Sequence, residues 1–490
     1  MVSNTRIKQV LAGSLRWMMF LSMMAVGLWP ILTTVIVADD LIGPFSMYVN
    51  AGPDLFSNLQ VGFDAASYGH FNYVGQVIGG FVNWFWLRLM ISGVRYSTIY
   101  GITKFLMFTL LIVVAARLVR RLLQLGGSSL PIWTLRTSIG LVLIGTIQLH
   151  LVWSNDPVAS YPMSGYTSVI VGLLAVEMFV VCLQGKTWWK LLLASAALLL
   201  ACLYYEMNVA LFVTLGLLAL VHTVQHWEGW RRAVRTIWPL GAVCLAPAMI
   251  VALLQHLNSA KSAQYTGTAV AFGEDTPATF GRLLVSNLPF SSWHLGIEWV
   301  QNVVPTSITH AAQVSIVALL ATLLLRYQGP VYVATRGLVL TCVTFLSMGA
   351  VATLVQAATE KVQAEATRIG SVYNFYAVGS TAIAVVIAVL MIYVARRWRT
   401  VAILLLPVMV AAASYQFLLN AAIQERHFNF VPQNRNVLVA FTEDWDRNQR
   451  CEALSKWLEM GWPVYYYNAL VTGMDRAYLH FHGEWFCGRL

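Results

Sequence analysis

Two adjacent carboxylates, Asp39 and Asp40, follow the first long apolar stretch of the chain. Charged residues are scarce, since Asp, Glu, Lys and Arg make up only 11% of the sequence, and ionisable groups at membrane depth usually mark a functional site. A carboxylate in this position can act as a general base that takes a proton from a hydroxyl nucleophile. Adjacent residues of an extended segment point in opposite directions, so we expect only one of the two to be the base, and the sequence does not decide which. The alternative is that both acids end a helix in water.

Glu206 is the third acid of interest. It lies in the segment 204–208, between two short apolar runs, and on the same predicted side of the membrane as Asp39 and Asp40. A catalytic site shared by these acids is therefore geometrically possible. The alternative is a turn residue exposed to water.

Cations on that side are few, which makes each of them informative. Lys361 and Arg368 fall in one predicted loop, and Arg282 and His294 fall in another. Such side chains can donate hydrogen bonds to a phosphate group, for which the planar guanidinium of arginine is well suited. The alternative is contact with ordinary lipid headgroups.

Aromatic residues on or beside the same loops are candidates for substrate contact. Trp293, Tyr373 and Tyr376 combine flat apolar rings with a polar group, a combination that suits sugar rings. The alternative is that they belong to the membrane-interface belt or to the core.

The elements that must position these residues are membrane helices. The chain has 490 residues, of which 58% are hydrophobic, and its apolar runs of about 20 residues match the thickness of the hydrocarbon core. We predict an all-α polytopic membrane protein with about eleven transmembrane helices. The predicted spans are 17–37, 99–116, 132–153, 165–185, 189–204, 207–222, 236–255, 308–325, 337–356, 376–394 and 400–418.

The basic residues predict the orientation of these spans. The formal net charge is +10, and most Lys and Arg residues concentrate in short loops such as 117–121, 231–235 and 396–399. This distribution is the orientation signal for membrane insertion and does not indicate nucleic-acid binding. We predict a cytoplasmic N-terminus and a C-terminus on the opposite side. The first apolar stretch, 17–37, is longer than a signal-peptide core, so we predict an uncleaved transmembrane helix.

One further segment, 71–92, is apolar enough to cross the membrane. A crossing there would invert every later loop and place nearly all later basic clusters outside. We therefore predict that it belongs to a long first outer loop, 38–98, whose helices lie in the membrane interface.

The tail after residue 418 differs sharply in composition from the rest of the chain. We divide the chain into a transmembrane module, 1–418, and a small mixed α/β domain, 419–490. The pattern predicts strands at 436–441 and 464–467, and apolar residues at helical spacing predict a helix over 451–462.

The two cysteines of the tail, Cys451 and Cys487, can form a disulfide bond. Such a bond would stabilise a domain too small for a secure core, and it requires an oxidising compartment. Metal binding by these cysteines with His480 and His482 is the alternative, but a CxxC spacing is missing, and we predict no metal site.

The layout resembles the C superfamily of glycosyltransferases (GT-C), which are polytopic enzymes that use polyprenyl-phosphate sugars. The resemblance rests on the motif Ala38-Asp39-Asp40 after the first helix, the long first outer loop, the many further helices and the outer C-terminal region. Within that superfamily the chain resembles the serotype-converting O-antigen glucosyltransferases.

The resemblance implies a bacterial inner-membrane enzyme with a periplasmic active site and a periplasmic C-terminal domain. It implies inverting transfer of a sugar, with glucose as the suggested one, from undecaprenyl phosphate to a hydroxyl of a lipid-linked glycan such as O-antigen. An aspartate would be the general base, cations would stabilise the leaving phosphate, and no cofactor would be needed. The expected partners are the lipid-borne donor, the lipid-linked acceptor and membrane lipids.

Two other functions remain open at this point. A transporter or lipid flippase would place its binding site near the membrane midplane between repeated halves, and this sequence has no evident internal repeat. An O-antigen ligase or polymerase would use the middle outer loop, 257–307, as its site.

Overall fold

The computed structural model describes residues 2–36, 39–67, 70–150, 156–185, 187–259, 270–291, 308–326, 332–430, 432–460 and 467–488. This part of the chain is helical, and its only β-type pairings are two isolated bridges. Nine of its helices are long and apolar enough to cross a membrane. The predicted class, an all-α polytopic membrane protein, is confirmed.

The helices are numbered in chain order. They are α1 (Val2–Gly27), α2 (Trp29–Leu32), α3 (Asp39–Ala51), α4 (Leu55–Ala66), α5 (Tyr73–Ile91), α6 (Tyr96–Leu125), α7 (Ile132–Thr146), α8 (Tyr166–Gln184), α9 (Trp188–Tyr204), α10 (Ala210–Gln225), α11 (Trp230–Ser259), α12 (Asp275–Ser286), α13 (Ile308–Arg326), α14 (Thr335–Ala357), α15 (Glu360–Glu365), α16 (Phe375–Arg397), α17 (Arg399–Phe430), α18 (Pro432–Thr442), α19 (Arg447–Leu458) and α20 (Gly473–His482).

The long helices form one bundle with two distinct ends. We call the end at which α6 begins, α9 ends and α16 begins the Asp40 end. At the opposite end the last turn of α6 meets the start of α14, where Gly126 and Gly337 are in backbone contact. Large side chains fill the interior between the ends, among them the fully buried Phe108, Phe179 and Phe345. Each predicted span overlaps one helix of this bundle. Two of those helices, α7 and α9, are shorter than the nine candidate spans, and α5, which we predicted not to cross, is one of the nine.

Helix α5 lies along the Asp40 end of the bundle. At its start, the amide of Asn258, from the end of α11, donates a hydrogen bond to the Tyr73 hydroxyl (2.9 Å). At its other end, Trp86 packs edge-on against Tyr96 at the start of α6, with 5.8 Å between ring centroids. Both ends of α5 therefore contact the same end of the bundle, although its length and apolarity alone would allow it to cross.

The tail differs from the prediction in its secondary structure. The segment 436–441, predicted as a strand, lies inside α18, where the buried Val437, Leu438 and Phe441 form a helical face. Phe441 packs edge-on against Phe45 of α3 at 5.0 Å. The mixed α/β prediction is wrong here because packing against α3 overrides the strand propensity of this apolar run.

The remaining tail elements are helical as well. Helix α19 covers most of the helix predicted over 451–462, and a capping box at Asp446 starts it. The second predicted strand, 464–467, falls mostly outside the described residues, and its last residue is helical. Helix α17 continues past residue 418 to Phe430.

A disulfide bond joins Cys451 to Cys487 within the tail. The tail also docks closely on the first outer loop. A Cβ atom at Gly473, the first residue of α20, would lie only 2.6 Å from Phe45 of α3. The tail and helices α3, α5 and α6 thereby share a second hydrophobic core, with Trp457 and Phe45 fully buried in it.

The position of α5 predicts the result of labelling with a membrane-impermeant thiol reagent. Single cysteines at Ser67→Cys and Ser92→Cys, which flank α5, will react from the same side of the membrane. Arg120→Cys, on α6 towards the opposite end, will react only from the other side. The unsubstituted chain measures the background from its native cysteines, and labelling of positions 67 and 92 from different sides would show that α5 crosses.

Candidate active site

Asp40 lies in the first turn of α3, so the segment expected to be extended is helical. Its carboxylate oxygen Oδ2 accepts hydrogen bonds from the backbone N–H of Tyr161 (2.5 Å) and from the Tyr100 hydroxyl. Its backbone carbonyl accepts a hydrogen bond from the Tyr96 hydroxyl (2.6 Å). Asp40 is half-buried. The start of α6 and the segment 156–165 therefore hold this carboxylate from two directions.

The backbone at Tyr161 is strained in a way that serves this contact. Its φ angle is +56°, in the left-handed region that a residue with a Cβ atom enters at a cost of about 1–2 kcal/mol. The N–H of Tyr161 points at the carboxylate in this conformation. Such outliers persist where the surrounding structure determines them, and they concentrate at functional sites.

Lys104 lies one helical turn beyond Tyr100 on α6, on the same face. Its side chain is fully buried, its ammonium donates a hydrogen bond to the Ile31 carbonyl (2.9 Å), and it sits 4.7 Å above the Tyr100 ring. Asp40 and Asp156 both act on it electrostatically. A buried ammonium is costly unless opposite charge compensates it, and these two acids supply opposite charge from beyond ion-pair distance. We call Lys104, Asp40 and Asp156 the charged cluster.

Asp156 is the second acid of this cluster and is fully buried. Its carboxylate accepts hydrogen bonds from the backbone N–H groups of His150 (2.7 Å) and Val158 (2.9 Å). The His150 ring packs edge-on against Tyr376 at 4.5 Å between centroids, and the Tyr376 hydroxyl accepts a hydrogen bond from the Gln148 N–H (3.2 Å). Tyr376, predicted to contact substrate, is thus fully buried in the polar interior.

A separate cavity of about 310 Å³ opens at the Asp40 end between α11, α14, α15 and the turn 205–209. Three of the predicted site residues line it, namely Glu206, Lys361 and Tyr373. Glu206 pairs with the ring of His70 (2.8 Å), and the Lys361 ammonium lies 5.3 Å above the Tyr373 ring. The remaining wall is mostly apolar. The cavity therefore offers one acid and one cation to a ligand with a polar end.

Asp40 does not line this cavity, and the side chain of Asp39 lies outside the described part. The segment 156–165 connects the two centres. Within it, the N–H of Tyr161 donates a hydrogen bond to Asp40. Two residues further on, the carbonyl of Met163 accepts a hydrogen bond from the Tyr204 hydroxyl (2.5 Å). The next residue, Tyr205, lines the cavity beside Glu206. The two centres are neighbours at one end of the bundle, joined by one short segment.

The other predicted cations do not join them. Arg282 donates a hydrogen bond to Thr279 of its own helix, α12 (2.9 Å), and Arg368 is exposed in the loop before α16. Neither lines the cavity. Trp293 and His294 lie outside the described residues. Within the ranges that the structure describes, no group of three metal-ligating side chains comes together.

Sequence analysis missed part of the charged cluster. The available signal was the spacing of Tyr96, Tyr100 and Lys104, four residues apart on a predicted helix, with a lone cation in an apolar run. Asp156 follows directly on another predicted span. No pattern in the chain indicated that residues 40, 104 and 156 would meet.

Comparison with family models, curated proteins and solved structures gives no significant match to this chain.

The hydrogen bond from Tyr100 to Asp40 predicts the behaviour of Tyr100→Phe. Because hydrogen bonds to charged groups contribute about 1.5–3 kcal/mol, this variant will have a clearly lower midpoint of thermal unfolding than the parent. Tyr332→Phe, at a side chain that is 63% exposed, is the matched control and will melt like the parent. Equal midpoints for all three proteins would mean that the hydroxyl does not support the Asp40 carboxylate.

Proposed function

We propose that this protein is an integral-membrane glycosyltransferase that moves a sugar from a polyprenyl phosphate to a hydroxyl of a lipid-linked glycan. The observation that carries the proposal is the carboxylate of Asp40. It is half-buried at the end of a membrane bundle, directly after the first helix, and donors from two separate elements hold it in place. A carboxylate fixed in this way has the preorganisation that general-base catalysis needs.

The helices of the first outer loop support a substrate that arrives in the membrane. Helix α5 lies along the Asp40 end, and its Phe81 and Phe85 side chains are 43% and 44% exposed. Aromatic side chains on an interfacial helix suit the boundary between lipid tails and water. A donor anchored by its lipid would therefore present its phosphate at the level of Asp40.

In the proposed reaction the acceptor hydroxyl attacks the anomeric carbon of the donor sugar. Asp40 takes the hydroxyl proton while the new glycosidic bond forms. The bond between the anomeric carbon and the phosphate oxygen breaks on the opposite face, so the configuration inverts and lipid phosphate leaves. The buried ammonium of Lys104 is a positioning group that stabilises the ionised form of Asp40 before the proton arrives.

The base and the leaving group act on opposite faces of one anomeric carbon. The sugar is therefore proposed to lie between Asp40 and the neighbouring cavity beside Glu206, with the leaving phosphate at the cavity wall that contains Lys361. Lys361 would stabilise the charge that develops on the phosphate oxygen, and Tyr373 would offer its ring to the sugar. Glucose as the sugar and O-antigen as the acceptor rest on the resemblance to the serotype-converting enzymes.

The basic loops support a bacterial inner-membrane location with the Asp40 end in the periplasm. The clusters 117–121, 231–235 and 396–399 all lie at the opposite end of the bundle, and basic residues favour the cytoplasmic side. The tail with its disulfide bond would then be periplasmic, where disulfides persist.

The proposal predicts that Asp40→Asn lowers sugar transfer by at least about 10²-fold, because the amide cannot accept the proton. The measurement uses the full-length protein in lipid vesicles and follows radiolabelled glucose from undecaprenyl phosphate to a lipid-linked O-antigen acceptor. Asp64→Asn, at an exposed acid on α4 of the same loop, is the matched control and will keep parental activity. Parental transfer by Asp40→Asn would remove Asp40 as the base.

The cavity makes a second prediction. Lys361→Met will lower the rate of transfer about 10–100-fold, because the leaving phosphate loses a cation. Lys456→Met removes an exposed lysine of the tail that pairs with Glu452, and it will leave the rate unchanged. If Lys361→Met transfers the sugar as fast as the parent, the leaving group lies elsewhere.

A further inference from the structure

A second cavity, of about 510 Å³, runs along the outside of the bundle, away from Glu206 and Lys361. We call it the lateral groove. Its walls come from α1 and α2, from the start of α6 and from α18 of the tail, and the segment 33–36 closes one side. The groove therefore lies where the membrane helices and the C-terminal region meet.

The floor of the groove is apolar and open to the outside of the bundle. Trp29 and Ile102 line it and are 53% and 54% exposed. On α6 the lining runs from Arg95 to Phe105, a rise of about 15 Å at 1.5 Å per residue. That length is about half the hydrocarbon thickness of a bilayer, which is about 30 Å. The stretch of α6 that lines the groove is thus about as long as the hydrocarbon part of one leaflet is thick.

Two walls of the groove contain one arginine each. Arg95 and Arg435 both line it, and its wall contains no acid among the described residues. Glu443 pairs with Arg95 (2.6 Å) from beyond the wall, which occupies only part of a guanidinium that has five N–H donors. Two arginines at the polar end of an apolar groove complement a phosphate group attached to an acyl chain.

A buried hydroxyl in the wall provides an independent indication of a ligand. Thr34 is 5% exposed and lines the groove, and its Oγ1 atom has no hydrogen-bond partner in the described part of the chain. Buried polar atoms without a partner are uncommon in folded proteins. An ester or phosphate oxygen in the groove would accept a hydrogen bond from this hydroxyl.

We propose that the lateral groove binds one anionic phospholipid of the leaflet at the Asp40 end. Its phosphate lies between Arg95 and Arg435, and one acyl chain follows α6 past Ile102 towards Phe105. The lipid then contacts α6 and α18 together and fastens the C-terminal region to the membrane helices. The groove shares Tyr96 with the Asp40 site, but its test measures lipid binding and does not depend on sugar transfer.

Native mass spectrometry of the full-length protein with phosphatidylglycerol tests the proposal. The parent will retain one phosphatidylglycerol more tightly than phosphatidylcholine. Arg95→Gln combined with Arg435→Gln will weaken that binding at least about tenfold, because two charged donors are lost. Arg396→Gln combined with Arg397→Gln, an exposed pair at the opposite end, is the matched control and will bind like the parent.

A second variant covers the possibility that loss of Arg95 disturbs the fold. Thr34→Val removes only the hydroxyl, which has no partner in the described residues, so the protein will fold normally and bind phosphatidylglycerol several-fold more weakly. Equal lipid retention by the parent, the double arginine variant and Thr34→Val would overturn the proposal. Displacement of the bound lipid by equimolar undecaprenyl phosphate would also overturn it, because the groove would then hold the donor lipid.

Discussion

Holding a carboxylate at the end of an apolar bundle is the constraint on which the rest of the structure depends. An ionised group there needs donors from the protein, since lipid supplies none. Asp40 obtains them from Tyr100 and from the strained backbone of Tyr161. The position of the segment 156–165 and the start of α6 follow from these contacts, and Lys104 adds opposite charge beneath them.

A second buried acid in the same bundle, Glu177, is held by ion pairs that have a purely structural role. Glu177 is fully buried in α8, and it pairs with Arg117 (2.6 Å) and Arg121 (2.5 Å), both from α6. It lies towards the opposite end and lines neither the cavity beside Glu206 nor the lateral groove. Asp40 differs because it is partly exposed and lies beside helices that run along the bundle end.

The Asp40 end gathers three features that the opposite end does not show in the described ranges. They are the charged cluster around Lys104, the cavity beside Glu206 and the lateral groove. The tail covers part of this end through its contact with Phe45, and the disulfide bond closes the tail on itself. A membrane-borne substrate and a structural lipid would therefore meet the protein on neighbouring surfaces.

The sequence alone determined the class of protein and the segregation of basic residues to one end. Both depend on composition along the chain and on the membrane as solvent, whereas the eleven predicted spans and the placement of 71–92 on one side stay predictions. The sequence singled out Glu206, Lys361 and Tyr373, which the fold brings around one cavity. It misjudged 436–441, since a short apolar run suits a strand or a buried helix equally well.

Only the tertiary structure decided which polar groups meet. Residues 40, 104 and 156 are far apart along the chain, and no local period links them. It is the packing of α6 against α3 and the segment 156–165 that brings them together. The tertiary structure also separated Asp40 from the cavity beside Glu206, because contacts between distant segments are set by the three-dimensional packing and leave no signature in local spacing.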